Sequence, residues 1–465
     1  MKKIVIIGGG IAGLTAGIYA QKCGFDALIL ESHQIAGGNC TSWKRKGYLF
    51  EGGMHWLIGS GSQSPVNKLW HAIGALNDNV TIYYDEPYLE YNDHGTPIRL
   101  YRDVNMTEKH LCAISPADTK EIKAFCDRIR QIQIRLAQSE QGVEVDDSIL
   151  SKQSINQFSH EGIREMFHAF EETEKGISLI LTMGSLANGN GGFPEGGSLP
   201  FVRRIVKNFK SLGGKIRYHT RVERVVIENG KVTGVMIDGE LLLADAVIVT
   251  VDTMAVDQLF DSQIQTPWMN EMRAETTPTM CTMVSLGINS DLKHYPKRLL
   301  LKLNNPIYLG EQQYQYLGIT NYAGNTTYAP RGKTALTIYL GGDTYAFWKK
   351  AKEENRYTDE KQKIANQLIK VITTQMPESD EKIEVCDVAT PLTFERYSGS
   401  WKGSWMTAVT PNMRVEPYPT IIRGLDGIYF AGHRMYPPGG LPLAMVSGIT
   451  AVKRLCRDTN TTFIE

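Results

Sequence analysis

The chain has 465 residues, 50 Lys+Arg against 50 Asp+Glu, and 42% hydrophobic residues. That length exceeds one simple core and predicts about two or three domains, while the near-average composition excludes collagen-like, coiled-coil and wholly disordered chains. A formal net charge of zero offers no electrostatic case for nucleic acid as a partner.

Seven cysteines, an odd number without a C-x-x-C pair, argue against a disulfide framework or structural zinc. They fit a reducing, cytoplasmic setting. The apolar run 4–7 stops at three glycines and is too short for a signal-peptide core. The stretch 177–187 is broken by Thr and Gly and cannot span a bilayer. Peripheral membrane contact stays open, and the oligomeric state is not readable.

In chain order, β-branched runs predict strands over 2–7, 27–30, 215–219, 222–228, 232–237 and 246–250. Helical patterns fall over 11–23, 115–138, 199–212 and 360–375. The second opens on a capping box, with Ser115 as N-cap, Pro116 at N1 and Asp118 at N3. Alternating strands and helices predict an α/β fold with a mixed sheet.

The first strand runs into Gly8-Gly9-Gly10-Ile11-Ala12-Gly13 and then a helix. Such a loop turns tightly, lets the backbone approach a pyrophosphate, and aims the helix N-terminus at its charge. The second strand ends in Glu31, where a carboxylate can bind ribose hydroxyls. Strand, glycines, helix, strand and acid together predict a dinucleotide site. Gly37-Gly38 follows and can bring another loop against the phosphates. At the far end, 427–432 reads as a strand, and Pro437-Pro438-Gly439-Gly440-Leu441-Pro442 leads into a last helix. That second glycine turn and helix N-terminus suit a flavin carbonyl or a phosphate.

With Gly8, Gly10, Gly13, Glu31, Gly37-Gly38, Ala431-Gly432, the 438–442 turn and Ser447-Gly448, the chain resembles the phytoene desaturase family of FAD oxidoreductases. That family includes carotenoid isomerases and retinol saturase and lies within the amine-oxidase-like flavoproteins. The likeness continues through 193–197, 213–252 and 397–404. It implies a Rossmann-like FAD domain with an inserted mixed α/β substrate domain. The FAD domain would comprise 1–75, 191–280 and 396–465. The substrate domain would comprise 76–190 and 281–395.

It also implies contacts to non-covalently bound FAD. Gly8, Gly10, Ile11, Ala12 and Gly13 would hold the pyrophosphate, and Glu31 the ribose. Gly38 and Asn39 would follow the phosphates and ribityl chain, and Val222 would meet the adenine. Gly432, His433, Gly440, Leu441 and Pro442 would lie near the flavin end, and Met54 and His55 near its ring. Asn39 stands where many relatives carry Arg, Glu51 where Asp is commoner, and His433 where many carry Asp. Cys40 reads as a small buried residue.

Candidate catalytic residues are His55, as a proton shuttle or flavin-tuning group near neutral pKa, and Glu195, as an acid or base at the domain junction. Packed turn residues are the plainer readings of both. Tyr397, Trp401, Trp405 and Tyr436 are candidates for an aromatic wall against a flat substrate. No His/Cys/carboxylate spacing suggests a metal. No second glycine fingerprint occurs, so NAD(P)H is open only as an external reductant. The expected activity is desaturation or saturation of a carbon–carbon bond in an apolar, isoprenoid- or polyene-like substrate, by hydride transfer at flavin N5. Alternatives are an amine oxidase acting on a C–N bond, a redox-neutral polyene isomerase, and a non-catalytic flavin-binding scaffold.

Overall fold

A computed structural model describes residues 1–93, 96–138, 152–173, 179–260, 266–408, 414 and 416–465. Its first sheet has five parallel strands in the order Ile428–Phe430, Ala246–Val249, Lys3–Ile7, Asp26–Leu30 and Lys215–Arg217. The central strand is an unbroken apolar run because both its faces are covered. Ile4 and Ile6 join the core under the helices Ile11–Lys22, Ser198–Ser211 and Leu441–Asp458. Val5 and Ile7 point the other way, toward Val225 and Val235 of a three-stranded antiparallel sheet, Arg224–Glu228, Lys231–Ile237 and Glu240–Leu243.

Two of these helices touch backbone to backbone. A Cβ on Gly448 would lie 2.5 Å from the carbonyl oxygen of Ala12. A Cβ on Gly13 would run into the carbonyl of Gly8. These two glycines let the first and last helices close over the first strand.

The second sheet has seven strands in the order Ile383–Ala389, Cys281–Ile288, Thr334–Gly341, Gln312–Asn321, Arg298–Leu309, Leu89–Asp93 and Thr96–Leu100. All its pairings are antiparallel except that between Leu299–Leu300 and Glu90–Tyr91. Leu299 and Leu301 pack toward Tyr345–Glu353 and Tyr357–Gln375. Leu300 packs toward Thr119–Gln138, Glu161–Thr173 and Leu179–Ala187. The sheet is therefore held between two helical layers.

The expected capping box at Ser115 does not form. A short 3₁₀ turn, Pro116–Asp118, precedes the helix, and Ser115 Oγ donates to Asp118 at 2.7 Å. The Asp118 carboxylate instead accepts the backbone N–H groups of Ser159 and His160, at 2.6 and 3.0 Å. A tertiary clamp has taken over the local cap. Among the described residues, no helix is long and apolar enough to cross a membrane.

Candidate active site

A cavity of about 1920 Å³ opens where the ends of the central strands meet the second sheet. Its first wall is the opening glycine loop. Gly8, Gly10, Ile11 and Ala12 border it at the helix N-terminus. Gly37 donates its N–H to Gly9 O at 2.9 Å, so the second glycine pair runs beside the first. Glu31 ties this corner together: its carboxylate accepts from Gly9 N at 2.7 Å and His33 N at 2.8 Å.

The adjoining wall follows from sheet register. Val249 pairs with Phe430, so the residues just beyond these strands become neighbours. Asp252 and Arg434 there form a buried ion pair, with Nε–Oδ1 at 2.8 Å and Nη2–Oδ2 at 3.0 Å. Arg434 Nη2 also donates to Ser404 Oγ, and Trp401 N donates to Asp252. Burial pushes the Asp252 carboxyl up, but the Arg434 charge, with His433 and the Trp401 N–H, outweighs it and holds the pKa low. Among the described residues, Arg434 Nη1, His433 Nδ1 and Asn39 Oδ1 at this wall are buried without a hydrogen-bond partner.

His55 forms a third corner. Its Nδ1 lies 3.0 Å from the Tyr339 hydroxyl, and its carbonyl accepts from Arg298 at 2.5 Å. The ring packs between Tyr339 and Trp405, and Nε2 has no protein partner. Burial and the nearby Arg298 push its pKa down to about 3. The turn carrying His55 is stapled by Glu51, which is fully buried. Glu51 accepts from the N–H groups of Gly53 and Met54 and, at 3.0 Å, of Ser198, as well as from Ser198 Oγ. It sits at the start of Ser198–Ser211, where a helix dipole favours an anion. Burial nevertheless raises its pKa to about 7.

The remaining lining divides by chemistry. Trp56, Leu89, Leu136, Phe170, Leu181 and Leu300 form an apolar sector continuous with the core of the helical layer. Arg45, Lys361, Asp387 and Arg396 form a charged one.

Residues 11–456 match the family described as flavin containing amine oxidoreductase. The chain belongs to that family. A 1-hydroxycarotenoid 3,4-desaturase from a Flavobacterium species is 22% identical, over 97% of this chain and 98% of its own. The chloroplastic prolycopene isomerase of Daucus carota is 20% identical, over 98% of this chain and 80% of its own. The crystal structure of an oxidoreductase from Methanosarcina mazei has a TM-score of 0.65 at 16% identity, covering 97% of this chain and 100% of that one. The fold is the amine-oxidase-like flavoprotein fold, and the chain is a flavin-dependent oxidoreductase.

This flavoprotein's cavity fits the cofactor. Paired glycine loops leave backbone room beside a helix N-terminus, and the unpartnered Asn39, His433 and Arg434 atoms supply polar groups that a ring system can engage.

Most residues singled out from the sequence border this cavity. They are Gly8, Gly10, Ile11, Ala12, Glu31, Gly38, Asn39, His55, Gly432, His433, Gly440, Leu441, Pro442, Tyr397 and Tyr436. Tyr397 is 49% exposed and stands edge-on to His33. Gly13 lies beneath Gly8 rather than on the cavity. Met54 and Val222 are core residues away from the lining.

Three expectations need correction. Glu195 is exposed on the surface and off the cavity, so it is not placed to act there. Trp401 packs under the Arg434 guanidinium at 5.7 Å and leaves the wall to Trp405. His55 does not titrate near neutrality, because its surroundings keep the ring uncharged. Sequence reading missed Asp252, Arg434, Arg298 and Tyr339. Asp252 and Arg434 carried one usable signal, their positions just past the C-terminal ends of sheet strands, where ligands bind in such folds.

Proposed function

We propose that the chain binds FAD and removes or adds a pair of hydrogens at a carbon–carbon bond of an apolar, isoprenoid- or polyene-like substrate. The apolar sector of the cavity carries this reading. It offers room and dispersion contacts to a long hydrocarbon and few hydrogen bonds to a small polar amine. Two relatives whose names specify a carotenoid desaturase and a prolycopene isomerase support it.

Gly8, Gly10 and Gly13 would hold the pyrophosphate and Glu31 the ribose. Gly38, Asn39, Gly432, His433, Gly440, Leu441 and Pro442 would follow the chain toward the flavin. Bound FAD supplies hydride transfer. The protein's part is position, polarity and exclusion of water. Segments 76–190 and 281–395 would hold the substrate, with Trp56, Phe170 and Leu300 keeping water from the reacting carbons. Trp405 and Tyr436 would flank it, with Tyr397 at the rim. His55, kept neutral and gripped by Tyr339, would present a fixed uncharged Nε2 rather than a proton-accepting base. Arg434 would present a cationic N–H to an electron-rich carbonyl or phosphate.

The test is anaerobic incubation of the flavin-loaded protein with detergent-dispersed carotenoid polyenes and, separately, an amine panel in air. NAD(P)H is added in a parallel arm as an external reductant. A polyene product that differs by one hydrogen pair is the expected result. Peroxide release with an amine and no change in any polyene would overturn the proposal. A product of unchanged mass and altered geometry would assign isomerisation instead.

A further inference from the structure

The apolar sector is not apolar throughout. The helix Leu179–Ala187 turns Leu181 and Thr182 to the cavity, and Ser185 one turn later. Positions three apart share a helix face, so Thr182 and Ser185 lie together. Both are buried, at 2% and 3% exposure. Thr182 Oγ1 is buried and has no hydrogen-bond partner among the described residues. Asn190, on the loop after the helix, also lines the cavity, and its Oδ1 is taken by Gly59 N–H at 2.8 Å. Its NH₂ group makes no hydrogen bond to the described residues.

We propose that Thr182, Ser185 and Asn190 form a polar subsite that receives a single uncharged hydroxyl on an otherwise hydrocarbon substrate. This rests on the apolar-substrate reading and sharpens it. A buried unpartnered hydroxyl is costly unless a ligand completes it. The set offers donors and acceptors but no charge. The nearby Arg102 is tied back to Asn190 O at 3.0 Å, and its guanidinium lies 3.9 Å from the Tyr84 ring centroid. Arg102 is not on the cavity lining, and the three lining groups themselves carry no charge, so an alcohol would pair with both the Thr182 hydroxyl and the Asn190 amide.

The test uses the flavin-loaded protein and two probes: all-trans-geranylgeraniol, and the same chain with its CH₂OH replaced by CH₃. Binding is read from perturbation of flavin absorbance, and retained flavin per protein reports folding. Wild type should bind the alcohol more tightly. Thr182→Val should weaken alcohol binding about tenfold, the size of one good hydrogen bond, and leave hydrocarbon binding unchanged. Thr182→Ser should restore it, and Ser185→Ala should weaken it by a smaller factor. Equal binding of both probes to wild type, or parallel losses for both in Thr182→Val, would overturn the subsite and leave the apolar-substrate reading standing. Failure of wild type to bind either probe would overturn both.

Discussion

Arg434 and Asp252 face each other out of water, and the guanidinium keeps the carboxylate charged. Removing one leaves the other ionised and buried, which costs about 3–5 kcal/mol. Arg434→Met should therefore lower unfolding free energy by about that amount in urea titrations and reduce the flavin retained after gel filtration. Arg434→Lys should recover only part, because an ammonium cannot span both carboxylate oxygens. At the other corner, Tyr339→Phe removes the partner of His55 Nδ1. Flavin should stay bound while substrate turnover falls about tenfold, the value of one hydrogen bond spent on orientation. The pH–rate profile should carry no limb from His55 between about pH 5 and 8, since its pKa lies near 3. Glycine and acid positions near the N-terminus were readable because that motif is local. The ion pair was not, because it joins residues that only the Val249–Phe430 register brings together. Burial of His55 was equally hidden, since Arg298 and Tyr339 come from distant strands.

Among the elements, the contact of the first and last helices leaves no room for a side chain at Gly448. Gly448→Leu would drive a side chain into the Ala12 carbonyl, where a Cβ alone would approach to 2.5 Å. Overpacking of this kind costs about 1–3 kcal/mol, so the melting temperature should drop and flavin affinity with it, because the displaced helix carries Gly10–Ala12 at its start. Strands and helices of the first sheet could be read from apolar runs bounded by glycine. The long strands of the second sheet could not. Leu299-Leu300-Leu301 are buried on alternate faces by two helical layers, so the alternation that marks a half-exposed strand is missing. At Ser115 the local signal was present, but Asp118 serves the Ser159–His160 backbone instead.

For the whole molecule, three buried groups bear on how stability responds to acid. His55 and His433 have pKa values lowered from 6.5 to about 3 and about 4, by burial and by neighbouring Arg298 and Arg434. Below about pH 6.5 the unfolded chain takes up those two protons and the folded one does not, so stability falls as pH drops. Glu51, raised from 4.5 to about 7, acts in the opposite sense between those values. Among these three the balance is about one proton between about pH 4.5 and 6.5, taken up by the unfolded chain, so their net effect there is that stability rises with pH. Glu51→Gln should remove the opposing group, and urea unfolding over that window should show stability falling more steeply with acid than in wild type.

The order of strands in the first sheet also has a consequence for biosynthesis. Lys3–Ile7 lies between Asp26–Leu30, made almost at once, and Ala246–Val249, which leaves the ribosome roughly 240 residues later. At about 5–20 residues per second the wait is about ten to fifty seconds. Ile428–Phe430 and the helix that follows it arrive later still. Throughout that interval one edge of a strand that is apolar from Ile4 to Ile7 is without its neighbour, which is the condition under which nascent chains associate with one another. Expression yield should therefore respond to chaperone supply and translation speed more than to the stability of the finished protein.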